Sequence, residues 1–578
     1  MQISVSRAIT CRQNISQRWH LPGVPRGLGL IPTLLLTALV LIPIAVLVAE
    51  ILTPDVALWE RMWRTFLPDV LWNTLTLVAG VAIGSFVIGA GAAWLIAAYE
   101  FPGRRWFDRL LLLPLAVPGF IMGFVYVATF EYAGPVQTAL RSWFGWSRGD
   151  YWFPNIASPL GLMLVLTLVL YPYVYILARA AFREQSAATF EAARVMGYNR
   201  WQILRKVALP MARPQIAAGV LLVIMETMTD YGTVSYFGFP TLSERIVVLW
   251  NASFDVGAAT QLATSMVFIA LLLIVLERTM RGKARFYQQG GHGQPMRRHV
   301  LPRGWKWAAA SACGLLLGVA FVLPVSQLVL WSLSELQDPT LNLQGSSLLQ
   351  YTGNSLMLAG LAALFVMLIA LGIAYGSRAA AAGSGKRPRW LSRLVTMGYA
   401  MPGAVIAAGV LTVINPIDGT VTDFAANHLG WTAPGYLLTG TIIGLIYAYV
   451  VRFMAVGFNS VDASLEKVKP NMEGAARMMG ANGWRVLTRV YFPLVRTGVI
   501  AGAVLVFVDV MKELPATLLL RPFGMDTLAL RAFFLSGEGW HESAAIPALI
   551  ILIVGLIPVA ILMRIGENKR DRHDVYSA

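Results

Sequence analysis

Four carboxylates stand where a carboxylate is costly. The runs METMTDYGTVSYFGFP, 225–240, and VDVMKELPATLLLRPFG, 508–524, each interrupt a long apolar stretch. An offset of 283 residues pairs Glu226 with Asp509 and Asp230 with Glu513, so each run carries two acids at i, i+4. On a helix that spacing puts both acids on one face. A charge inside a membrane span costs roughly 2.5–3.5 kcal/mol on insertion scales, and such residues usually face a bundle interior or a wet cavity. Four acids about a twofold axis would make an electronegative passage suited to a cation. Tyr231 and Tyr236 add phenol oxygens, which suit hard, highly charged metal ions. A structural reading stays open beside this one: the acids would sit at outer helix ends or pair with Lys512 and Arg521.

The elements that must position these acids are membrane helices. The 578-residue chain is 57% hydrophobic and 13% charged, against roughly 25% charged in soluble domains. Its mean hydropathy is +0.63. An all-α polytopic membrane protein follows, because in lipid each helix satisfies its own backbone polar groups. A span needs roughly 20 apolar residues. Six are expected near 28–52, 73–98, 109–131, 157–180, 212–236 and 257–277. Six more are expected near 306–332, 354–376, 393–414, 434–457, 495–519 and 544–564. The first is read as a retained helix, being too long for the apolar core of a signal peptide. The net charge of +16 does not point to nucleic acid, since the basic residues are scattered among short loops. With both termini placed in the cytoplasm, inner segments and helix-end flanks hold 38 of the 46 Lys and Arg. That excess is what the positive-inside rule requires, and acids such as Asp55, Asp69, Asp150, Asp418 and Asp423 then fall outside. Cys11 and Cys313 show no metal or disulfide spacing.

The chain is a duplication. Asn73-Thr74-Leu75 recurs as Asn354-Ser355-Leu356, and Pro118-Gly119 as Pro402-Gly403. Six spans per unit put both halves the same way up, as two parallel repeats with a pathway between them. The expected division is a cytoplasmic segment 1–27, a first half 28–280, a linker 281–304, a second half 305–566 and a cytoplasmic tail 567–578.

A polar segment is also kept twice, between spans four and five of each half. EAARVMGYNRWQILRKVALP, 191–210, matches AARMMGANGWRVLTRVYFP, 475–493, at ten of nineteen aligned positions. The spacing predicts helix, turn, helix. Gly197 ends the first helix at positive φ, and Asn199 caps the second. Trp201, Leu204 and Val207 form an apolar stripe, and Pro210 breaks the helix before the next span. A plain membrane-surface turn would not need this geometry in both halves.

The pattern Glu-Ala-Ala, three residues, Gly, then a distal Pro resembles the signature loop of type I ABC importer permeases. The resemblance covers nearly the whole chain and implies that each loop is a coupling helix docking on an ATP-binding subunit. The coupling residues that it implies are Glu191, Ala192, Ala193, Gly197, Trp201 and Pro210, then Glu473, Ala475, Ala476, Gly480, Trp484 and Pro493. The second copy departs from the pattern: Glu473 comes one residue early and Gly474 takes the Glu position. Two loops imply two copies of the ATP-binding subunit. GSGKRPR, 383–389, is no phosphate-binding loop, since it lacks the first Gly and has Arg387 where Ser or Thr should hold Mg²⁺. ATP and Mg²⁺ are therefore expected in the partner, with no cofactor and no catalytic residue in this chain.

DYGTVSYFG and MKELPATLLLRP are similar to the corresponding runs of the fused ferric-iron permeases of that family. This similarity implies a bacterial inner-membrane location, a periplasmic ferric-binding protein as partner, and transient Fe³⁺ contacts at Glu226, Asp230, Asp509 and Glu513. Thiamine, phosphonate and polyamine importers have related permeases and remain alternatives. An ATPase-independent cation transporter is the rival from another class, and it has no need of the double loop.

Overall fold

A computed structural model describes residues 30–574 apart from 148, 254, 283–297, 338–344, 385–388, 431–436, 467 and 469. The N-terminal segment 1–27, most of the linker, the centre of GSGKRPR and the end of the tail lie outside the described residues.

In the first half the helices used below are α1 (Leu30–Glu50), α2 (Leu67–Ala98), α3 (Gly119–Phe130), α4 (Pro159–Glu184), α5 (Ala187–Val195), α6 (Arg200–Ile203), α7 (Leu209–Thr229), α8 (Gly232–Tyr236), α9 (Leu242–Asn251) and α10 (Val256–Gly282). The second half supplies α11 (Arg303–Leu317), α12 (Leu323–Gln337), α13 (Gly345–Ser384), α14 (Gly403–Leu429), α15 (Ile442–Leu465), α16 (Pro470–Met478), α17 (Gly483–Val486), α18 (Phe492–Met511), α19 (Pro515–Leu520), α20 (Leu528–Gly537) and α21 (His541–Asp574). Among the described residues, eleven helices are long and apolar enough to cross a membrane. A pair bent by 93°, Arg104–Ala116 with Gly119–Phe144, makes the twelfth. The expected third span is thus a broken one, with Pro118 at the break.

Each half has the same kernel. α2, α4 and α7 pack together in the first, and α13, α15 and α18 in the second. Small residues let the helices approach, as is usual where lipid supplies no hydrophobic drive between helices. A Cβ on Gly219 of α7 would lie 2.9 Å from the Val174 Cα of α4. Its counterpart Gly502 of α18 would meet the Ser460 Cβ of α15 at 2.8 Å. The halves are not two separate bundles. α1 packs on α13 and α14, α10 packs on α14, and α12 and α21 pack on α3.

The repeated Asn-Thr/Ser pair has a structural task in both halves. Asn73 donates to the Pro240 carbonyl at 3.2 Å, and Thr74 Oγ1 accepts from Leu242 N at 3.0 Å. Asn354 donates to the Asp526 carbonyl at 3.0 Å, and Ser355 Oγ accepts from Leu528 N at 2.8 Å. These bonds fasten the starts of α9 and α20 to α2 and α13. A parallel strand pair, β1 (Tyr99–Glu100) with β2 (His299–Val300), ties the entry of the second half to the end of α2.

Gly219→Leu is expected to destabilise the protein by about 1–3 kcal/mol, because a packed backbone must move. Gly91, whose Cβ would meet nothing within 4 Å, is the control, and Gly91→Ala should be neutral or stabilising. Thermal unfolding of both variants in detergent checks this.

Candidate functional site

Where α7 and α18 end, the two halves enclose a cavity of about 180 Å³. Glu226, Asp230, Tyr231, Asp509 and Glu513 all line it, so the tertiary structure brings the four acids into one space. Tyr236 does not line it and packs against Phe124, with ring centroids 6.4 Å apart.

The expectation that both acids of a pair share one helix face is wrong. α7 stops at Thr229 and α18 at Met511, so Asp230 and Glu513 lie beyond their helices. The reason is local hydrogen-bond competition, in which an acidic side chain offers the backbone an alternative to the helix ladder. Asp230 accepts from Thr233 N at 2.8 Å, from Thr233 Oγ1 at 2.7 Å and from Val234 N at 3.4 Å, and so starts α8. Glu513 accepts from Ala516 N at 3.1 Å, from Thr517 N at 3.0 Å and from Thr517 Oγ1 at 2.9 Å, and so starts α19.

The repeated Pro-Gly pairs complete this arrangement. A Cβ on Gly119 would lie 2.7 Å from Asp230 Oδ2, and one on Gly403 would collide with Glu513 Oε1. Each glycine opens the first turn of α3 or α14. Each carboxylate therefore sits between the N-terminus of a long helix and that of a short one, where negative charge is favoured.

Glu226 and Asp509 are held differently. Glu226 accepts from the Tyr399 hydroxyl at 3.2 Å, and Asp509 pairs with Lys512 at 3.0 Å. The expected Lys512 pairing is thus present, whereas Arg521 pairs with Asp526 instead. Among the described residues no group of three or more His, Cys, Asp or Glu is placed to hold a metal ion. The acids line the cavity without forming a coordination shell.

Sequence reasoning missed Arg452, Tyr399 and Tyr173, which also line the cavity. Arg452 was findable: it is a lone cation in the apolar run IIGLIYAYVVRFMAVGF, and the insertion cost that flagged the acids applies to it equally. The tyrosines carried no such signal.

The polar loops lie at one face of the bundle, and each is a helix, a tight turn and a helix. In the first, Gly197 N–H donates to the Arg194 carbonyl at 2.9 Å and Tyr198 N–H to the Ala193 carbonyl at 3.1 Å. Gly197 and Gly480 both have φ of 82°. Ala481 N–H donates to the Ala476 carbonyl at 3.1 Å, repeating the geometry. This is a Schellman ending, in which a left-handed glycine lets the chain cap its own last carbonyls. Asn199 Oδ1 then accepts from Gln202 N at 2.8 Å, and Gln202 Oε1 from Asn199 N at 2.9 Å. Asn482 accepts from Arg485 N at 2.9 Å, so the second cap keeps this half of the pattern.

Two expectations for these loops need correction. Pro210 does not break the helix: α6 runs into α7 through a π turn at Leu204–Ala208, repeated at Leu487–Tyr491 ahead of Pro493. The wider turn accommodates a proline that lacks an N–H and would crowd the preceding carbonyl. Gln185 adds a bond to the Ala208 carbonyl at 3.0 Å. The apolar stripe holds only in part: Leu204 and Val207 pack against the core, but Trp201 does not. Ile203 and Ala208 are buried, whereas Trp201 is 63% exposed.

Ala193 and Ala476 pack inward, while Glu191, Ala192 and Ala475 are exposed. The side chains of Glu473 and Trp484 lie outside the described residues. Val195, Met196 and Trp201 in the first loop, and Met478 and Met479 in the second, leave large apolar surface uncovered. The root of the first loop is braced by Asp108, which accepts from Arg179 and Arg183 at 2.6 Å each. In the second half Arg378 donates to the Leu465 and Val468 carbonyls instead.

Two parallel sets of membrane helices around a shared charged cavity, with a like pair of rigid loops at one face, define a permease built from two fused halves. The model of the family described as "Binding-protein-dependent transport system inner membrane component" matches residues 85–278 and 372–572, once in each half, and the chain belongs to that family. It is 25% identical over 513 residues to the Fe(3+)-transport system permease protein FbpB 2 of Haemophilus influenzae, covering 87% of this chain and 91% of that one. It is 23% identical to the ferric transport system permease protein FbpB of Actinobacillus pleuropneumoniae, covering 90% and 77%. The sulfate transport system permease protein CysT of Escherichia coli is 26% identical over 46% of this chain and 96% of its own. A relative of half the length is what a fused duplication should find.

Asp230→Ala removes a helix cap and should cost about 1–2 kcal/mol. Glu226→Gln, which keeps an acceptor for Tyr399, should leave the melting temperature nearly unchanged. Parallel melts of the two detergent-purified variants separate the two kinds of acid.

Proposed function

We propose that this chain is the permease subunit of an ATP-driven importer that carries ferric iron from a periplasmic binding protein into the cytoplasm. The observation that carries this reading is the shared cavity, lined by acids from both halves, together with the ferric-iron permeases that align over most of the chain. The loop-bearing face is the cytoplasmic one and both termini lie on that side, as the distribution of Lys and Arg supports. Iron enters from the opposite face.

The chain supplies the pathway and the levers, and a separate ATP-binding subunit supplies hydrolysis. Two copies of that subunit dock on the two loops. The exposed Val195, Met196, Trp201, Met478 and Met479 suit insertion into apolar grooves on a partner. Because each loop helix runs through a π turn into α7 or α18, a push on the loop moves the helix that carries Glu226 or Asp509. Closure of the ATP-binding subunits would thus be felt at the cavity through one continuous helix in each half. The two docking sites differ, since Gly474 leaves open space where the first copy presents Glu191.

In proteoliposomes holding the whole complex, with binding protein outside and ATP inside, ⁵⁵Fe should accumulate. Gly197→Val puts a branched residue at positive φ, a strained conformation for such side chains. It should lower co-purification of the ATP-binding subunit and uptake together. Uptake that survives in the absence of any ATP-binding subunit would favour an autonomous cation transporter instead.

A further inference from the structure

The cavity carries both signs of charge, and the two signs are not distributed alike. The carboxylates come in pairs, one pair from each half, whereas both cations that line the space, Arg452 and Lys512, come from the second half. At the matching positions the first half has Val169 and Thr229. The first-half acids Glu226 and Asp230 therefore stand in the fold without a cation of their own half. Asp230 is held by hydrogen bonds, whereas Glu226 feels the charges of Arg452 and Lys512, so the two cations offset acids of both halves and still keep donors for a second task.

Their surroundings suggest which one. Glu513 takes its hydrogen bonds from Ala516, Thr517 N and Thr517 Oγ1, leaving Arg452 Nη1 at 3.8 Å, outside hydrogen-bond range. That nitrogen is buried and has no hydrogen-bond partner. A buried guanidinium donor without an acceptor is costly. Lys512 lies in the same cavity, joined to Asp509 by one contact of 3.0 Å and keeping further donors on its ammonium. A bare trivalent cation entering here would be drawn to Glu226 and Asp509 and repelled by these two groups. A metal accompanied by an oxyanion would meet complementary charge on both sides, and a planar guanidinium suits the geometry of such an anion.

We infer that the cavity takes its metal together with a small oxyanion, a phosphate or a carboxylate, with Glu226 and Asp509 on the metal side and Arg452 and Lys512 on the anion side. This rests on the ferric reading above. No bond is made or broken; the metal–anion unit passes as one species.

The test is the sign of a charge deletion. Complexes with Arg452→Gln, Lys512→Met or Arg452→Lys are reconstituted, and ⁵⁵Fe uptake is measured with binding protein outside and ATP inside. Binding-protein-stimulated ATPase activity and melting temperature serve as controls for folding and assembly. Arg452→Gln and Lys512→Met should each lower uptake about tenfold, the scale of one lost hydrogen bond to a charged group. Arg452→Lys should retain most of it. In the wild type, ³³P-phosphate or ¹⁴C-citrate supplied with the iron should enter alongside ⁵⁵Fe, and the two labels distinguish the two oxyanion sources. Unchanged or increased uptake in the two neutral variants would overturn the inference, because the cations would then only offset the acids. Entry of ⁵⁵Fe with neither labelled anion would overturn it as well. Lys512→Met carries the test if Arg452→Gln does not fold. A wild type that imports no iron would instead sink the ferric reading on which the inference stands.

Discussion

The architecture depends on a carboxylate held at two helix N-termini at once. Asp230 sits against Gly119 at the start of α3 and caps α8, and Glu513 sits against Gly403 at the start of α14 and caps α19. Backbone N–H groups that would otherwise lack partners meet a charge that would otherwise be unsolvated. The same bonds end the long helices α7 and α18, break the chain inside the bundle and leave room for a polar cavity. Irregular backbone at membrane depth is tolerated where it is buried in protein or lines such a space.

Each half makes this junction once, which gives the cavity its near-twofold form. It follows that the four acids belong to two classes. Asp230 and Glu513 are tied to backbone and keep the break in place. Glu226 and Asp509 sit a turn earlier, on the last regular part of α7 and α18, with only a tyrosine hydroxyl and a lysine against them. In the proposed function they are the acids that meet the cargo. The helix that bears each of them is continuous, through a π turn, with an exposed loop at the far end. Cavity and loop thus lie at two ends of one continuous helical element, which is what the proposed coupling requires of a polar loop kept in each half.

Duplication has not preserved symmetry everywhere. Both halves break the chain before a Pro-Gly pair, but past it the first half carries α3 and a separate helix Pro135–Phe144, whereas α14 runs unbroken from Gly403 to Leu429. The loop roots are braced by an Asp108 cluster in one half and by Arg378 on carbonyls in the other. The cavity has cations from one side only. The shared features are those that hold the helix breaks and loop turns.

Much of this was legible in the sequence because it is local or periodic. Apolar run length set the spans, the 283-residue offset exposed the duplication, and the spacing around Gly197 and Asn199 specified the turn and cap that the structure contains. The insertion cost of a charge singled out the four acids, since that cost is paid wherever the residue lies in the span. The sequence could not say that α7 stops one residue before Asp230 and α18 two before Glu513, because helix propensity competes there with side-chain bonds whose worth depends on the space that Gly119 and Gly403 leave. Nor could it place Tyr236 outside the cavity, or Arg452, Tyr399 and Tyr173 within it. Those positions are set by how α4, α15 and the 397–400 turn pack against the ends of α7 and α18, a contact between segments hundreds of residues apart that no local pattern encodes.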